Sequence, residues 1–330
     1  MLNIVSDFVR SILPAKKKTT PSGWTSFNGV CCPHNGESAD TRGRAGLTAN
    51  PDGSVSYHCF NCSFKASYQP GRHLTFKFRK LLKWLGADDT DIKRLVIEAI
   101  RVRELVAPEE VKAEAEEEKI EFKVRDLPED AVNLVSLDYV HPALEYCVER
   151  KIDLNKYQFY ATKQEQYNLH KRVIIPCIWQ GKTIGYTSRA FVDEVKPKYY
   201  SHYEPNFVFN MNNQHIDSKF VIVCEGPFDA MSIDGVAVLN NECNETQADI
   251  IESLGREVIA VADRDRAGAK MINNAIEYGW SVSFPVWLET CKDINEAVVK
   301  YGKLFVLKSI LDSKQTSKLK IELMKKKLYN

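Results

Sequence analysis

Apolar and polar positions are arranged in three different ways along the 330 residues, and each arrangement predicts a different kind of structure. Up to about Gly71 the chain is rich in Gly, Pro, Asn and Cys, with short strand-like stretches such as 54–60. Between 75 and 106, apolar residues recur at spacings of three and four, which is typical of amphipathic helices, and Gly86 separates two of them. A small β-rich region followed by a helical pair is therefore predicted.

The rest of the chain predicts strands that alternate with helices. Residues 171–177 and 182–189 predict a β-hairpin around Gln180-Gly181. Short apolar strands at 220–224 and 257–262 each precede a helical segment. Because such alternation favours a mostly parallel sheet covered by helices, the expected fold class is α/β.

The changes in sequence character divide the chain into five predicted segments, and a chain of this length is expected to hold more than one domain. The segments are a cysteine-rich domain at 1–72, a helical and acidic linker at 73–124, a basic subdomain at 125–215, an α/β domain at 216–310 and a basic tail at 311–330. Within the linker, Glu, Lys and Ala dominate 108–119, which predicts a solvated helix or a flexible tether.

Composition and charge narrow the function classes. The 45 basic and 44 acidic residues leave a formal net charge of +1. This balance argues against a histone-like binder but permits nucleic-acid binding, because phosphates sense locally clustered charge. No apolar run approaches the roughly 20 residues that span a bilayer, so no membrane partner is expected. Four of the nine cysteines crowd into one segment, as metal ligands do, which favours the reducing cytoplasm.

Two pairs of possible metal ligands lie in the cysteine-rich region. Cys31 and His34 form a C-x-x-H pair, and Cys59 and Cys62 form a C-x-x-C pair. A two-residue gap lets both side chains of a tight turn reach one cation, and two such turns leave no open position for a catalytic water. We therefore predict a structural zinc site with these four ligands, and Cys32 as the alternative to Cys31.

Three carboxylates follow two of the predicted strands. Glu225 comes directly after the strand at 220–224, and Asp263 and Asp265 follow the strand at 257–262. Because the carboxyl ends of parallel strands form the ligand crevice of such sheets, these side chains should converge. Carboxylates that repel one another stay ionised most readily beside a hard cation. The pattern predicts one or two magnesium ions that hold phosphate oxygens.

Two further acids extend this pattern. Asp229 lies at the start of the helix after the first strand, and Asp293 lies between the last predicted strand and the last helix. Each can belong to the metal site or can serve as a helix cap or first-turn charge, and position alone favours neither interpretation.

Three cations lie on or just after the predicted hairpin. They are Arg172, Arg189 and Lys198. A triphosphate is a natural ligand for such a group, since Arg forks onto phosphate oxygens. The alternative is an exposed basic hairpin with no ligand.

In this order, the motifs resemble those of the DNA primases of bacteria and tailed phages, most closely the stand-alone phage type. The cysteine pairs are followed by R-x-x-x-P…G…G…R, E-G-x-x-D, D-x-D-x-A-G and K-D-x-N-E. The resemblance implies an N-terminal zinc ribbon, a helical linker and a primase catalytic core with a Toprim sheet, which is Rossmann-like and mostly parallel.

The resemblance also implies roles for the matched positions. Glu225, Asp263 and Asp265 match catalytic acids, and together with Asp229 and Asp293 they match the positions associated with magnesium; Arg172, Arg189 and Lys198 match basic residues near nucleotide and template; Cys31, His34, Cys59 and Cys62 match zinc ligands. The histidine departs from the all-cysteine version of the ribbon.

The activity implied by this resemblance is that of a DNA-dependent RNA polymerase. Such an enzyme makes short RNA primers from ribonucleoside triphosphates on single-stranded DNA during replication, with structural zinc, catalytic magnesium and a replicative helicase acting in trans. If the chain is phage-encoded, the compartment is the host cytoplasm. The alternatives are a Toprim-type nuclease, which would share the acids, and a non-catalytic zinc-ribbon adaptor that binds DNA.

Overall fold

The computed structural model describes residues 3–105, 120–162, 167–215, 217–265, 268–287 and 291–329. The chain divides into two compact units, an N-terminal unit of residues 1–117 with 252–256 and a C-terminal unit of residues 118–251 with 257–330. The predicted tether at 108–119 lies outside the described residues. In the described part of the chain, no helix combines the length and the apolar character needed to cross a membrane.

The N-terminal unit contains a five-stranded antiparallel meander in which each strand pairs with the next along the chain. Its elements are α1 (Ile4–Ser11), β1 (Lys18–Thr19), β2 (Thr25–Phe27), β3 (Ala45–Ala49), β4 (Val55–Cys59), β5 (Lys65–Tyr68), α2 (Phe76–Trp84) and α3 (Asp89–Leu105). Alternate residues of β4 are buried, namely Val55, Tyr57 and Cys59, as expected for a strand with one face on a core.

One apolar core joins this sheet to all three helices. Leu47 and Tyr57 from the sheet share it with Val9, Phe78 and Leu95 from α1, α2 and α3. The predicted boundary near residue 72 therefore differs from the structure, since the first two helices of the predicted linker belong to the core of the N-terminal unit. The physical reason is that a small cysteine-rich sheet buries too little apolar area by itself.

The first sheet of the C-terminal unit is antiparallel, with strand order β10-β9-β8-β7-β6. Its strands are β6 (Ala131–Asn133), β7 (Tyr160–Thr162), β8 (Arg172–Trp179), β9 (Lys182–Ala190) and β10 (Tyr199–Tyr203), and α4 (Pro142–Glu149) lies between β6 and β7 in the chain. The β8–β9 pair confirms the predicted hairpin, and Arg172 lies opposite Ala190 in its register.

The second sheet of this unit has the order β12-β11-β13-β14-β15. Its strands are β11 (Phe220–Cys224), β12 (Val236–Ala237), β13 (Glu257–Ala260), β14 (Ser281–Ser283) and β15 (Lys314–Gln315), and the helices are α5 (Pro227–Ile233), α6 (Glu245–Glu252), α7 (Gly268–Tyr278), α8 (Ile294–Tyr301), α9 (Lys303–Asp312) and α10 (Lys318–Tyr329). Four strands are parallel and β15 adds an antiparallel edge. The predicted α/β class with a mostly parallel sheet is confirmed.

The two sheets of the C-terminal unit share one apolar core. Val173 and Ile175 of β8 belong to the same buried cluster as Ile222 of β11 and Ile259 of β13. The predicted segments 125–215 and 216–310 are therefore packed as one body rather than as two independent cores. The predicted basic tail also contributes structure, because it forms β15 and α10, where Ile321 is buried.

Candidate functional site: a cysteine cluster and a carboxylate crevice

Four cysteine sulfurs meet in the N-terminal unit. The Sγ atoms of Cys31, Cys32, Cys59 and Cys62 all lie within 4.8 Å of one another. Among the described residues, no other group of three or more His, Cys, Asp or Glu side chains brings its possible ligand atoms this close together. Thiol sulfurs in such an arrangement can hold a metal ion such as zinc, and a four-ligand set of this kind is typical of structural sites.

Polar neighbours surround the sulfurs. The Tyr57 hydroxyl lies 3.2 Å from Cys31 Sγ, and Asn61 Nδ2 donates to Cys32 Sγ over 3.3 Å. Burial, followed by neighbouring thiols, raises the pKa of Cys31. A bound cation would favour the thiolate forms and offset this rise, so the donor set fits a metal. Gly29 leaves room for the cluster, since a Cβ atom there would lie 2.8 Å from Cys59 Sγ.

The predicted zinc set, which included His34, needs a correction. The His34 ring lies outside the cluster and stacks on Trp84, with centroids 4.8 Å apart and an interplanar angle of 5°. Cys31 and Cys32 both contribute instead of one of them. The two-residue spacing favoured His34 because neighbouring side chains point apart in an extended chain. Here a short 3-10 turn begins at Cys32 and bends the backbone.

Two parallel strands bring carboxylates to one edge of the second sheet. Strands β11 and β13 are neighbours, with Val223 opposite Ala260. Glu225 follows β11 directly, and the backbone N–H of Asp263 donates to Glu225 Oε1 over 3.2 Å. Asp265 lies two residues further on, where its Oδ1 accepts from the N–H of Gly268 at the start of α7, over 3.0 Å. The parallel pairing of β11 and β13 therefore places Glu225 and Asp263 side by side.

Asp263 is affected by all four of the other acids. Burial comes first among the causes that raise its pKa, and the charges of Asp229, Glu225, Asp293 and Asp265 follow. Burial and the Asp265 charge raise the pKa of Glu225 to about 7. The five predicted acids thus share one electrostatic environment, although their oxygens do not converge as closely as the four sulfurs do. A divalent cation would relieve the repulsion.

Asp229 and Asp293 each accept a hydrogen bond at the start of a helix, and both lie close enough to Asp263 to affect its pKa. Asp229 is 6 % exposed in the first turn of α5, and its Oδ1 accepts from the backbone N–H of Asn295 over 2.9 Å. Burial and the Asp293 charge raise the pKa of Asp229. Asp293 caps α8, with its Oδ1 accepting from the N–H of Glu296 over 2.8 Å. Each carboxylate therefore accepts a hydrogen bond at the start of α8, and its charge also helps to raise the pKa of Asp263.

Arg189 lies next to these acids in an aromatic setting. It is 5 % exposed, and it donates from Nε to the Tyr146 hydroxyl and from Nη1 to the Tyr199 hydroxyl, each over 2.5 Å. Its guanidinium carbon lies 5.2 Å from the centroid of the Phe228 ring. A Cβ atom on Gly226 would lie 2.8 Å from Asp229 Oδ2 and 3.8 Å from the Tyr199 hydroxyl, so this tyrosine reaches the E-G-x-x-D turn.

The other two predicted cations differ in exposure. Lys198 is exposed as a residue. Burial of part of its side chain and the charge of Arg189 lower its pKa, whereas the charges of Asp293 and Asp263 raise it. Arg172 is 2 % exposed and donates to the backbone carbonyls of Pro197 and Lys198. The Arg172 guanidinium is therefore directed at backbone inside the unit, and its direct contact with nucleotide stays a prediction.

Three supporting residues were missed in the sequence. Arg150 Nη1 donates to Asn295 Oδ1 over 2.8 Å, and Asn295 Nδ2 donates back to the Arg150 carbonyl over 2.9 Å. Arg264 donates to the carbonyls of Pro285 and Trp287 over 2.7 and 3.2 Å, which ties the D-x-D turn to the chain after β14. Asn295 and Arg264 lie inside quoted motifs and could have been found there, whereas Arg150 stands in no pattern that marks it.

Comparison with known proteins identifies the second sheet. Residues 222–298 match the family model described as Toprim-like. This region, which is similar to that family, holds all five acids. A comparison with curated proteins found no match to this sequence.

Solved structures of DNA primases are similar to this chain. The Aquifex aeolicus primase with its zinc-binding and RNA polymerase domains is 18% identical, with a TM-score of 0.47, and the match covers 94% of this chain and 83% of that one. The primase fragment of the bacteriophage T7 primase-helicase is 14% identical, with a TM-score of 0.39 and coverages of 82% and 95%. The DnaG catalytic core is 16% identical, with a TM-score of 0.45 and coverages of 55% and 76%. These values are low, and they establish no family for the whole chain.

Proposed function

We propose that this protein is a DNA primase of the bacterial and phage type, which joins ribonucleoside triphosphates into short RNA primers on single-stranded DNA. One observation carries the proposal. Asp263 lies just beyond the end of a parallel strand, where the charges of four other carboxylates raise its pKa. Its own charge favours the protonated form of the exposed Lys198. Nucleotidyl transfer needs cation ligands and phosphate-binding cations in one place, and this crevice offers both.

Glu225, Asp263 and Asp265 would hold the magnesium, with Asp229 and Asp293 close behind them. Hard carboxylate oxygens are the ligands that magnesium prefers. Burial and neighbouring charges raise the pKa of Glu225 and of Asp263, so their ionisation is disfavoured when no cation is bound. Bound magnesium would supply positive charge against the phosphate oxygens and the attacking 3′-hydroxyl.

Lys198 and Arg189 would bind the incoming triphosphate. The ammonium of Lys198 is exposed and acts as a point charge for phosphate. Arg189 is already held by the hydroxyls of Tyr146 and Tyr199, so little side-chain freedom is lost when it meets its ligand. Both cations would orient the triphosphate toward the carboxylates before reaction, which is a large part of catalysis in phosphoryl transfer.

The cysteine cluster would hold a structural zinc ion, and its unit would contribute to binding of the template. The proposed partners are single-stranded DNA, ribonucleoside triphosphates and a replicative helicase that acts in trans, and the proposed compartment is the cytoplasm of the cell in which replication takes place. Zinc would contribute to folding of this unit rather than to chemistry, because four sulfur ligands leave no open position.

Incorporation of labelled ribonucleotides tests the proposal. The purified full chain, loaded with zinc, is incubated with Mg²⁺, the four ribonucleoside triphosphates and single-stranded DNA of mixed sequence. Short RNA products are expected, and Asp263→Asn should abolish them. Asp234→Asn is a matched control, because Asp234 lies in the same unit but is paired with Lys156 and Lys303.

Three other outcomes are informative. Degradation of the DNA without added ribonucleotides, lost in Asp263→Asn, would favour the nuclease. Binding of DNA with neither synthesis nor cleavage, even with a helicase supplied, would favour the adaptor. Products that persist in Asp263→Asn would show that the carboxylate crevice is not the site of synthesis.

A further inference from the structure

Arg172 is a charged side chain that is almost fully buried. It is 2 % exposed, and it is among the largest fully buried side chains of the described chain. Burial lowers its pKa. A buried guanidinium is costly unless its donors are satisfied. Its Nε has no hydrogen-bond partner among the described residues, so the partners of Nη1 and Nη2 indicate what the side chain does.

The partners of Arg172 lie two strands away. Arg172 begins β8 and lies opposite Ala190, the last residue of β9. The backbone N–H of Ala190 in turn donates to the carbonyl of Lys198 over 2.9 Å. The Arg172 guanidinium reaches the same segment. Its Nη1 donates to the same Lys198 carbonyl over 3.1 Å, and its Nη2 donates to the carbonyl of Pro197. One side chain thus holds the two residues that precede β10.

The segment held in this way carries two side chains of the crevice. Lys198 is exposed and interacts electrostatically with Asp263 and Asp293. Tyr199 is the next residue; its hydroxyl accepts from Arg189 and lies beside the turn of Gly226. The backbone at this point therefore determines where both side chains meet the carboxylates.

We infer that Arg172 is a positioning residue, which fixes the backbone of Pro197 and Lys198 so that Lys198 and Tyr199 face the carboxylate crevice. This inference rests on the proposed function, in which Lys198 binds the triphosphate. It gives the first arginine of the R-x-x-x-P motif a role inside the fold and leaves phosphate binding to Lys198 and Arg189.

A double-mutant cycle on nucleotide binding tests the inference. Binding of GTP and of ATP, each with Mg²⁺, is measured by calorimetry for the full chain and for Arg172→Gln, Lys198→Ala and the double variant. Loss of a charge-assisted contact is expected to weaken binding about tenfold in either single variant. Because Arg172 acts in large part through Lys198, the loss in the double variant should be clearly smaller than the product of the two single losses.

Hydrogen–deuterium exchange of the peptide 196–203 provides a readout that does not depend on nucleotide. Exchange there should rise in Arg172→Gln and remain as in wild type in Lys198→Ala, whose backbone contacts are intact. Asn210→Gly is the matched control for general destabilisation. Asn210 is also buried, it donates to the carbonyl of Gly235 over 2.7 Å, and its φ of 69° suits glycine. This variant should leave both exchange at 196–203 and nucleotide affinity unchanged.

The outcomes separate the two levels of the proposal. Unchanged exchange at 196–203 in Arg172→Gln would overturn the positioning role, whether or not nucleotide binds. Independent, multiplying losses in the double variant would also overturn it and would return Arg172 to direct binding. If the wild-type chain binds no ribonucleotide while exchange still rises in Arg172→Gln, the positioning contact stands and the primase proposal fails.

Discussion

The cysteine cluster and the carboxylate crevice are both groups of possible metal ligands, and they differ in how closely their donor atoms approach. The four sulfurs lie within 4.8 Å of one another around the end of a short antiparallel strand. The five acids lie at strand ends or helix starts around the parallel sheet. They affect one another electrostatically, but their oxygens are not gathered as closely as the four sulfurs. The first group can close around one cation, whereas the oxygens of the second are not gathered around a single point.

The difference also concerns stability. Burial raises the pKa of the Cys31 thiol, so this residue can remain neutral until a cation arrives. The carboxylates repel one another, and the raised pKa values of Glu225 and Asp263 mean that their ionised forms cost stability when no cation is bound. If the cysteine cluster holds the proposed zinc, one group would contribute to folding while the other opposes it, which is the pattern expected of a structural and a reactive centre.

The largest expected effect is the loss of the structural metal. Cys59→Ser, or treatment of the wild type with a chelator, should unfold the N-terminal unit, because a structural zinc ion stabilises such a domain by about 10 kcal/mol at neutral pH. Thermal denaturation followed by circular dichroism, together with metal analysis, measures the change. Cys147→Ser is the control, since Cys147 is a buried cysteine of the C-terminal unit. An unchanged melting curve after complete metal removal would contradict the structural role.

The second effect is a loss of activity combined with a gain of stability in the same variant. Asp263→Asn should lower ribonucleotide incorporation by about 10³-fold, since an electrostatic contact to the reacting groups is lost. In magnesium-free buffer the same variant should be more stable than wild type. The folded-state pKa of Asp263 is raised, so the wild type loses stability as the pH rises above the ordinary value of an aspartate, and the neutral amide does not.

Urea denaturation between pH 4 and 8, with and without Mg²⁺, measures this stability difference. Magnesium should reduce the difference, because a bound cation favours the ionised wild-type carboxylate. A variant that is less stable than wild type at every pH would show that Asp263 stabilises the fold through contacts other than those with a cation.

A single carboxylate of the N-terminal unit should show the reverse pH dependence. Burial alone would raise the pKa of Asp40, but N–H donors of Gly29, Arg42 and Arg44 lower it to about 2. Its contribution is therefore present above the ordinary aspartate pKa and is lost as the pH falls toward 2. Asp40→Asn should cost about 2 kcal/mol at pH 7.

The difference in unfolding free energy between Asp40→Asn and wild type, measured in urea from pH 2 to pH 7, tests this expectation. It should shrink steadily in the acid range, where the wild-type carboxylate becomes protonated. A difference that is constant over the whole range would mean that the lost hydrogen-bond geometry, and not the charge of Asp40, accounts for the destabilisation.

The smallest effect concerns His34. His34→Ala should keep the full zinc content and lose about 1 kcal/mol from the stack on Trp84, as expected for an aromatic contact. Cys32→Ala, in contrast, should lower zinc affinity. Zinc titration with a colorimetric chelator compares the two variants. Loss of zinc in His34→Ala with retention in Cys32→Ala would restore the ligand set that the spacing predicted.

Local spacing was sufficient to locate both groups. The C-x-x-C pair, the E-G-x-x-D turn and the D-x-D turn each mark residues that lie within a few positions of one another and depend on one strand end or one tight turn. The hairpin at β8 and β9 and helix α8 could be predicted for the same reason, since apolar periodicity and turn residues act over short distances. The sequence by itself therefore determined the α/β class, the positions of the possible ligands and the order of the elements that carry them.

Tertiary structure decided what the spacing left open. The turn at Cys32 brings the sulfur of Cys32, and not the ring of His34, into the cysteine cluster. Arg172 is buried against the carbonyl of Lys198, and Asp293 caps a helix within the acidic group. Tertiary structure also joined α2 and α3 to the core of the N-terminal unit. Each of these outcomes depends on residues that are distant in the chain but adjacent in space, and packing and burial, which set them, are not encoded in the spacing of any one segment.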